Sequence, residues 1–179
     1  ESRIRSMIEN RPDWTLSRQR AWGVPIPVFY CEKCEQEILE VDVMLKVADL
    51  MEKNGGIEAY HKLPISDFIG ADRKCKKCGH KEFKRGQDIL DVWFDSGACH
   101  AAVQSLRDDL AVPADIYLEG SDQHRGWFQT SLLSSIASTG KAPFKALVTH
   151  GFVNDAKGRK MSKSLGNVVD PADIWKKDG

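Results

Sequence analysis

Two Cys-x-x-Cys pairs, Cys31/Cys34 and Cys75/Cys78, stand forty residues apart, and no other feature of the chain limits its fold as tightly. Two such pairs can set four thiolates tetrahedrally around Zn²⁺, each pair seated on a tight turn. Gly79, directly after Cys78, suits a turn whose backbone amides point at sulfur. The first residues, Glu1-Ser2-Arg3-Ile4-Arg5, are charged and hold no apolar leader, so the pairs read as a metal site rather than a disulfide framework. Four Cys ligands leave no open coordination position, which makes the expected zinc structural. Lys74, Lys76, Lys77, Lys81, Lys84 and Arg85 would offset the negative charge of a four-thiolate site. Two readings stand beside this one: reduced thiols without metal, and His80 as a competing ligand. Cys99, the fifth cysteine, reads as a small core residue.

The length of 179 residues suits one medium domain, or a domain carrying a small insert. With 41% hydrophobic and 29% charged residues the composition is that of a soluble globular protein. No apolar run approaches the ~20 residues of a membrane span, so no membrane partner and a cytoplasmic location are expected. The chain starts without Met, which suggests a segment of a longer one. Lys and Arg number 26 and Asp and Glu 26, a balance that argues against a simple polyanion-binding module. The charges are uneven, however: residues 71–86 are basic and residues 87–123 acidic.

Read coarsely, Val28-Phe29-Tyr30 is a short strand leading into a hairpin. A helix is expected from Asp42 to about Asn54, with Val43, Val47, Leu50 and Met51 on one face and Gly55-Gly56 as its stop. Ile89 to Phe94 reads as a strand ending at Asp95-Ser96-Gly97, with a helix through Ala101 to Leu106 after it. Ile116-Tyr117-Leu118 is a buried strand, and Ser121 or Asp122 could cap a helix running to Gly140. Ala146 to Thr149 is another strand, followed by the flexible-looking Asn154–Arg159. Asp170-Pro171 opens a last helix. Strands alternating with helices imply an α/β layer built on a parallel sheet.

The run Gly158-Arg159-Lys160-Met161-Ser162-Lys163-Ser164-Leu165-Gly166-Asn167 carries two lysines three apart, interleaved with serines and flanked by glycine. Such a loop can hold polyphosphate, with ammonium groups as point charges and hydroxyls and amides as hydrogen-bond donors. Its composition alone equally suits a solvated basic turn. Lys160-Met161-Ser162-Lys163-Ser164 matches the signature loop of class I aminoacyl-tRNA synthetases in all five positions. Arg11-Pro12-Asp13-Trp14, the block from Ser17 to Gly23, Asp91-Val92-Trp93-Phe94-Asp95-Ser96-Gly97, the block from Tyr117 to Phe128, and Thr149-His150-Gly151-Phe152 resemble the isoleucyl-tRNA synthetases. Together these blocks run through the chain except for about 31–86. Valyl enzymes resemble the first block and the signature loop but lack this version of the Trp127 block; the equivalent piece of a valyl enzyme stays as an alternative. Methionyl enzymes share the loop but not the Trp93 and Trp127 blocks.

The resemblance implies the second half of a Rossmann-like nucleotide-binding fold, formed by residues 1–30 and 87–179, with a zinc-ribbon insert at 31–86. It implies an ATP-dependent ligase, monomeric, that activates isoleucine as its adenylate, with ATP and Mg²⁺ as substrate, and passes it to tRNA(Ile). None of His61, His80, His100, His124 or His150 belongs to the His-x-Gly-His motif of these enzymes, so the chain is expected to follow the editing insertion and to be inactive alone. Lys163, supported by Lys160, would neutralise charge on the phosphates, with Ser162 beside them. Glu119, Gly120, Asp122 and Gln123 would hold the adenylate, and Gly151, Phe152 and Val153 would line the adenine. Trp93 and Trp127 would wall the isoleucine pocket. Residue by residue, a capping cluster at Asp122 and core packing by the tryptophans are the plainer readings. A binding module of another kind, a zinc ribbon whose basic flank at 71–86 meets tRNA, is the remaining alternative.

Overall fold

The structure, a computed structural model, describes residues 2–178. Along the chain it runs α1 (Ser2–Glu9), β1 (Ser17–Arg18), β2 (Phe29–Cys31), β3 (Glu37–Ile38), α2 (Val41–Lys53), α3 (Glu58–Lys62), α4 (Ile65–Ile69), β4 (Phe83–Arg85), β5 (Ile89–Leu90), α5 (Val92–Gly97), α6 (Cys99–Ala102), β6 (Ala114–Gly120), α7 (Trp127–Thr139), β7 (Phe144–His150) and α8 (Pro171–Asp178). Two compact units result: one spans Pro12–Asp95, and the other takes the chain on either side of it.

In the Pro12–Asp95 unit, β2 pairs antiparallel with both β3 and β4. Against this small sheet pack Val43 and Val47 of α2, Tyr60 of α3 and Phe68 of α4, with Phe29 and Cys31 fully buried at the centre. Phe29 meets Tyr60 and Phe68 with ring centroids 5.7 and 5.6 Å apart, within the range where aromatic pairs add to burial. The Tyr60 hydroxyl donates to the Val28 carbonyl at 2.9 Å; burial pushes this phenol up to about 12, so it stays a donor. Helix α2 agrees with its apolar period to within a residue at each end. Asn54 closes it, backbone and side chain both donating to the Leu50 carbonyl, before Gly55 and Gly56 turn away at positive φ.

The expected strand over Ile89–Phe94 is replaced by two elements. Only Ile89 and Leu90 are extended, paired antiparallel with β1. Asp91 then caps α5, its carboxylate accepting the Trp93 N–H at 3.2 Å. That carboxylate is buried and also accepts Trp14 Nε1–H at 2.8 Å and an Arg18 Nη2–H at 2.7 Å.

The other unit is a β6–α7–β7 crossover. The strands are parallel, with Ile116 opposite Ala146 and Gly120 opposite His150, which is the parallel pairing expected of this stretch. Tyr117 points into the core beneath α7 with Phe128. The buried helix face also carries Ser131 and Ser135, small enough for close packing. Their hydroxyls donate to the carbonyls of Trp127 (2.6 Å) and Lys141 (2.8 Å), so neither is left unpaired. Gly97 shows how close the packing is: a Cβ there would lie 2.9 Å from the backbone carbon of Thr130. Gly140 ends α7 in the left-handed conformation. Asp170 caps α8 as expected, accepting the Ala172 N–H at 2.8 Å. On the face of the sheet away from Tyr117, Ile116 and Leu118 are 57% and 59% exposed, although parallel sheets are normally covered on both sides.

Candidate active site and metal centre

The two cysteine pairs converge. Their four sulfurs all lie within 4.8 Å of one another, Cys31 Sγ 3.6 Å from Cys78 Sγ and Cys34 Sγ 3.5 Å from Cys75 Sγ. Sulfurs at about 2.3 Å from a tetrahedral ion stand roughly 3.8 Å apart, so the donor set fits a four-coordinate metal. Both turns have one backbone design. Cys31 N–H donates to Gln36 O and Glu35 N–H to Cys31 O; Cys75 N–H donates to His80 O and Gly79 N–H to Cys75 O. The residue after each pair is left-handed, Gly79 at φ 74° and Glu35 at φ 57°. Glycine takes this conformation freely and glutamate does not. His80 stays outside the cluster, its Nε2 3.4 Å from the Glu82 carboxylate. Three side chains of the basic run are answered by carboxylates. Arg73 and Lys76 both pair with Glu40, at 2.6 and 2.5 Å, holding that carboxyl down to about 2, and Lys84 pairs with Glu35 at 2.8 Å.

In the other unit, the register of Glu119 with Thr149 and Gly120 with His150 sets the carboxyl ends of β6 and β7 side by side. Residues 119–123 and 151–153 therefore leave the sheet at one edge, where ligands of open α/β sheets bind. Glu119, Asp122, Gly151, Phe152 and Val153 are exposed there. A Cβ on Gly120 would lie 2.6 Å from Asp122 Oδ1, so the missing side chain lets that carboxylate fold back over the strand end. The chain after β6 makes a 3-10 turn, Ser121–Arg125, before α7 begins at Trp127. Neither Ser121 nor Asp122 caps α7: the cap position falls on Gly126, and Gln123 Oε1 accepts the Trp127 N–H at 2.9 Å.

The lysine-bearing loop of residues 158–167 lies against the same edge. Met161 N–H donates to Val153 O at 3.1 Å, and Lys160 Nζ sits 3.5 Å from the centroid of the Phe152 ring, a cation–π contact. Ser162 Oγ caps a 3-10 turn, Lys163–Leu165, that Gly166 closes at φ 63°. Lys163 is exposed, with no ion pair among the described residues. The stretch Asn154–Arg159 looks flexible in sequence but is tied: Asp155 accepts the Lys157 and Arg159 amides, both at 2.9 Å. Its carboxyl is held below the usual range, chiefly by Asn167. Sequence reading missed Asp155 and Asn167; an Asp followed by Gly three residues on was the available turn signal.

Trp127 is half-buried, stacked on Tyr117 with centroids 4.1 Å apart and planes 10° from parallel, its Nε1–H donating to Ser96 O at 3.0 Å. Trp93 belongs to the Pro12–Asp95 unit, where it is 43% exposed. There it borders a cleft of about 510 Å³ shared with Arg18, Arg20 and Trp22.

The chain, with its parallel crossover and a lysine-bearing loop beside the strand ends, belongs to the class I tRNA synthetases (I, L, M and V), whose family model matches residues 1–179. Its similar relatives are isoleucine–tRNA ligases. It is 56% identical over 177 residues to that of Syntrophotalea carbinolica, covering 99% of this chain and 19% of the relative. Against that of Sulfurihydrogenibium sp. it is 54% identical over 182 residues, with 100% and 19% covered. The chain thus spans about a fifth of these relatives' length. Among solved structures it resembles the ternary complex of Agrobacterium radiobacter K84 agnB2 LeuRS with tRNA and LeuAMS, with TM-score 0.58 and 27% identity, covering 99% of this chain and 25% of that one. Among the described residues no helix is long and apolar enough to cross a membrane.

Proposed function

We propose that the chain is the catalytic-domain segment of a longer, monomeric, cytoplasmic isoleucine–tRNA ligase, with residues 1–30 and 87–179 in the nucleotide-binding domain and 31–86 as a metal-bearing insert. The observation that carries this reading is the meeting, at one sheet edge, of residues 119–123, residues 151–153 and the signature loop. The exposed face around Ile116 and Leu118 suits a sheet covered by a further layer of the longer chain.

In the proposed reaction an oxygen of the isoleucine carboxylate attacks the α-phosphorus of ATP, which arrives with Mg²⁺. The bond from that phosphorus to the bridging oxygen breaks, and pyrophosphate leaves. Such chemistry needs alignment and charge stabilisation rather than a protein nucleophile. Lys163 would meet the charge growing on the phosphates, and Lys160 would join it by leaving the Phe152 ring, with Ser162 donating beside them. The carboxylates of Glu119 and Asp122 would repel phosphate and are matched instead to ribose hydroxyls and an ammonium group. Gly120 would hold the adenylate with them by leaving room for the Asp122 carboxylate at the strand end, and Gln123 would steady the turn. Gly151, Phe152 and Val153 would line the adenine. Trp127 is proposed as a wall of the isoleucine pocket, and Trp93 carries the same proposed role. In the second step the acyl group passes to tRNA(Ile). Cys31, Cys34, Cys75 and Cys78 would hold Zn²⁺, which supplies a structural cross-link.

Isoleucine-dependent exchange of pyrophosphate into ATP tests the proposal. The full-length ligase should support it and the 179-residue chain alone should not, because it lacks the His-x-Gly-His side of the phosphate site. Exchange driven by valine but not isoleucine would overturn the assignment. Trp127→Ala in the full-length enzyme should weaken isoleucine binding by up to about 3 kcal/mol, the scale of one buried aliphatic side chain, while ATP binding stays near wild type. Equilibrium titration with each ligand separates the two; loss of ATP binding alone would move Trp127 out of the pocket.

A further inference from the structure

The lysines of the signature loop are exposed, so their placement depends on the backbone that carries them. Residues 154–167 contain little regular structure: an isolated bridge between Asn154 and Lys160, a turn in which Gly158 N–H donates to Asp155 O at 2.9 Å, and the 3-10 turn at Lys163–Leu165. Two side chains tie the rest. Asp155 Oδ1 accepts the amides of Lys157 and Arg159, and Oδ2 accepts Arg159 Nε–H at 3.0 Å and Asn167 Nδ2–H at 2.9 Å. Asn167 reaches back across the loop: its Oδ1 accepts the Ser162 N–H at 2.9 Å, and its Nδ2 also donates to Lys160 O at 3.3 Å. The Asp155 side chain is only 12% exposed, although its neighbours in the loop are open to solvent.

We propose that Asp155 and Asn167 form a clamp that presets the signature loop, acting as positioning residues for Lys160 and Lys163. The inference rests on the reading of this loop as the phosphate-handling element. Its chemistry is specific. Asn167 must accept through one atom and donate two hydrogen bonds through another, which the carboxamide does and a carboxylate cannot. A carboxylate in its place would confront both the Asp155 carboxylate and the Lys160 carbonyl with no proton between them. Met161 N–H is tied to Val153 O and Lys160 is bridged to Asn154, but Lys160 O and Ser162 N are joined to one another through the Asn167 amide, so losing it loosens the segment leading into Lys163. Displacing a charge-stabilising group by about 1 Å can cost on the order of 10²-fold in rate.

The test uses the full-length ligase, reading isoleucine-dependent pyrophosphate exchange, isoleucine affinity and the thermal midpoint. Asn167→Asp should slow exchange by about 100-fold with isoleucine affinity and midpoint unchanged. Asn167→Ala, which deletes the bonds without adding charge, should slow it in the same sense. Combining Asn167→Asp with Asp155→Asn reverses donor and acceptor at the central contact and should recover at least about tenfold of the loss. The clamp is overturned if Asn167→Asp keeps its rate, if the double variant is no faster than Asn167→Asp, or if midpoint and isoleucine affinity fall along with the rate. A wild-type enzyme without isoleucine-dependent exchange would overturn the ligase reading itself and the clamp's role with it.

Discussion

Removing the metal from the four-cysteine cluster is expected to unfold the Pro12–Asp95 unit while the β6–α7–β7 unit keeps its structure. Cys31 and Cys75 are 0% and 6% exposed and belong to the same core as Phe29, Ile38, Phe68 and Phe83. Without an ion, four mutually close sulfurs would be left unbridged at the border of that core, two of them, Cys31 and Cys75, buried in it. Structural zinc sites bind with an apparent ~10–16 kcal/mol in small peptides, as much as the whole ~5–15 kcal/mol stability of a typical domain. Chelation, or Cys31→Ser, should therefore abolish amide protection at Val43, Val47 and Tyr60 in hydrogen exchange. Metal analysis of the reduced protein should return one zinc per chain. A content well below that, or undiminished protection after chelation, would count against the site.

Lys163→Ala in the full-length ligase should lower the rate of adenylate formation by about 10²–10³-fold, or ~2.7–4 kcal/mol, the scale found when one preorganised charge-stabilising donor is removed. Isoleucine affinity should barely change, because the lysine is proposed to act on charge that grows only as the phosphate bond breaks. Lys160→Ala should cost less, since in the ligand-free protein that ammonium must first give up its contact with Phe152. Single-turnover measurements at saturating ATP and isoleucine separate chemistry from binding. An unchanged single-turnover rate would remove Lys163 from the role.

Local patterns carried much of this fold. The apolar period of α2, the glycines after it, the Asp170-Pro171 start of α8 and the crossover around Trp127 all act within a few residues, which is the range a sequence reading senses. The α5 region failed for the same reason. Val92, Trp93 and Phe94 favour strands, but the outcome was decided by Asp91, whose partners Trp14 and Arg18 lie more than seventy residues away. The cysteine cluster was legible because metal chemistry restricts spacing as well as residue type. Asp155 and Asn167 were not, since each is an ordinary loop residue until the chain folds back and their side chains meet. The shift of the α7 cap position from Ser121 or Asp122 to Gly126 has a similar origin: the intervening 3-10 turn moves the helix start to Trp127.

The matching turns around Cys31 and Cys75 also bear on how the chain can change over generations. They enclose a forty-residue excursion carrying α2, α3 and α4, and both of its ends are pinned by the sulfur cluster and by the pairing of β2 with β4. The entropy of closing such a loop grows only with the logarithm of its length, so even doubling it would add about 0.6 kcal/mol. Insertions at the exposed turn of Asn54 and Gly55, away from the core residues Val43, Val47, Tyr60 and Phe68, would therefore leave the cysteine geometry nearly untouched, whereas a single residue gained within either Cys-x-x-Cys turn would misplace a ligand.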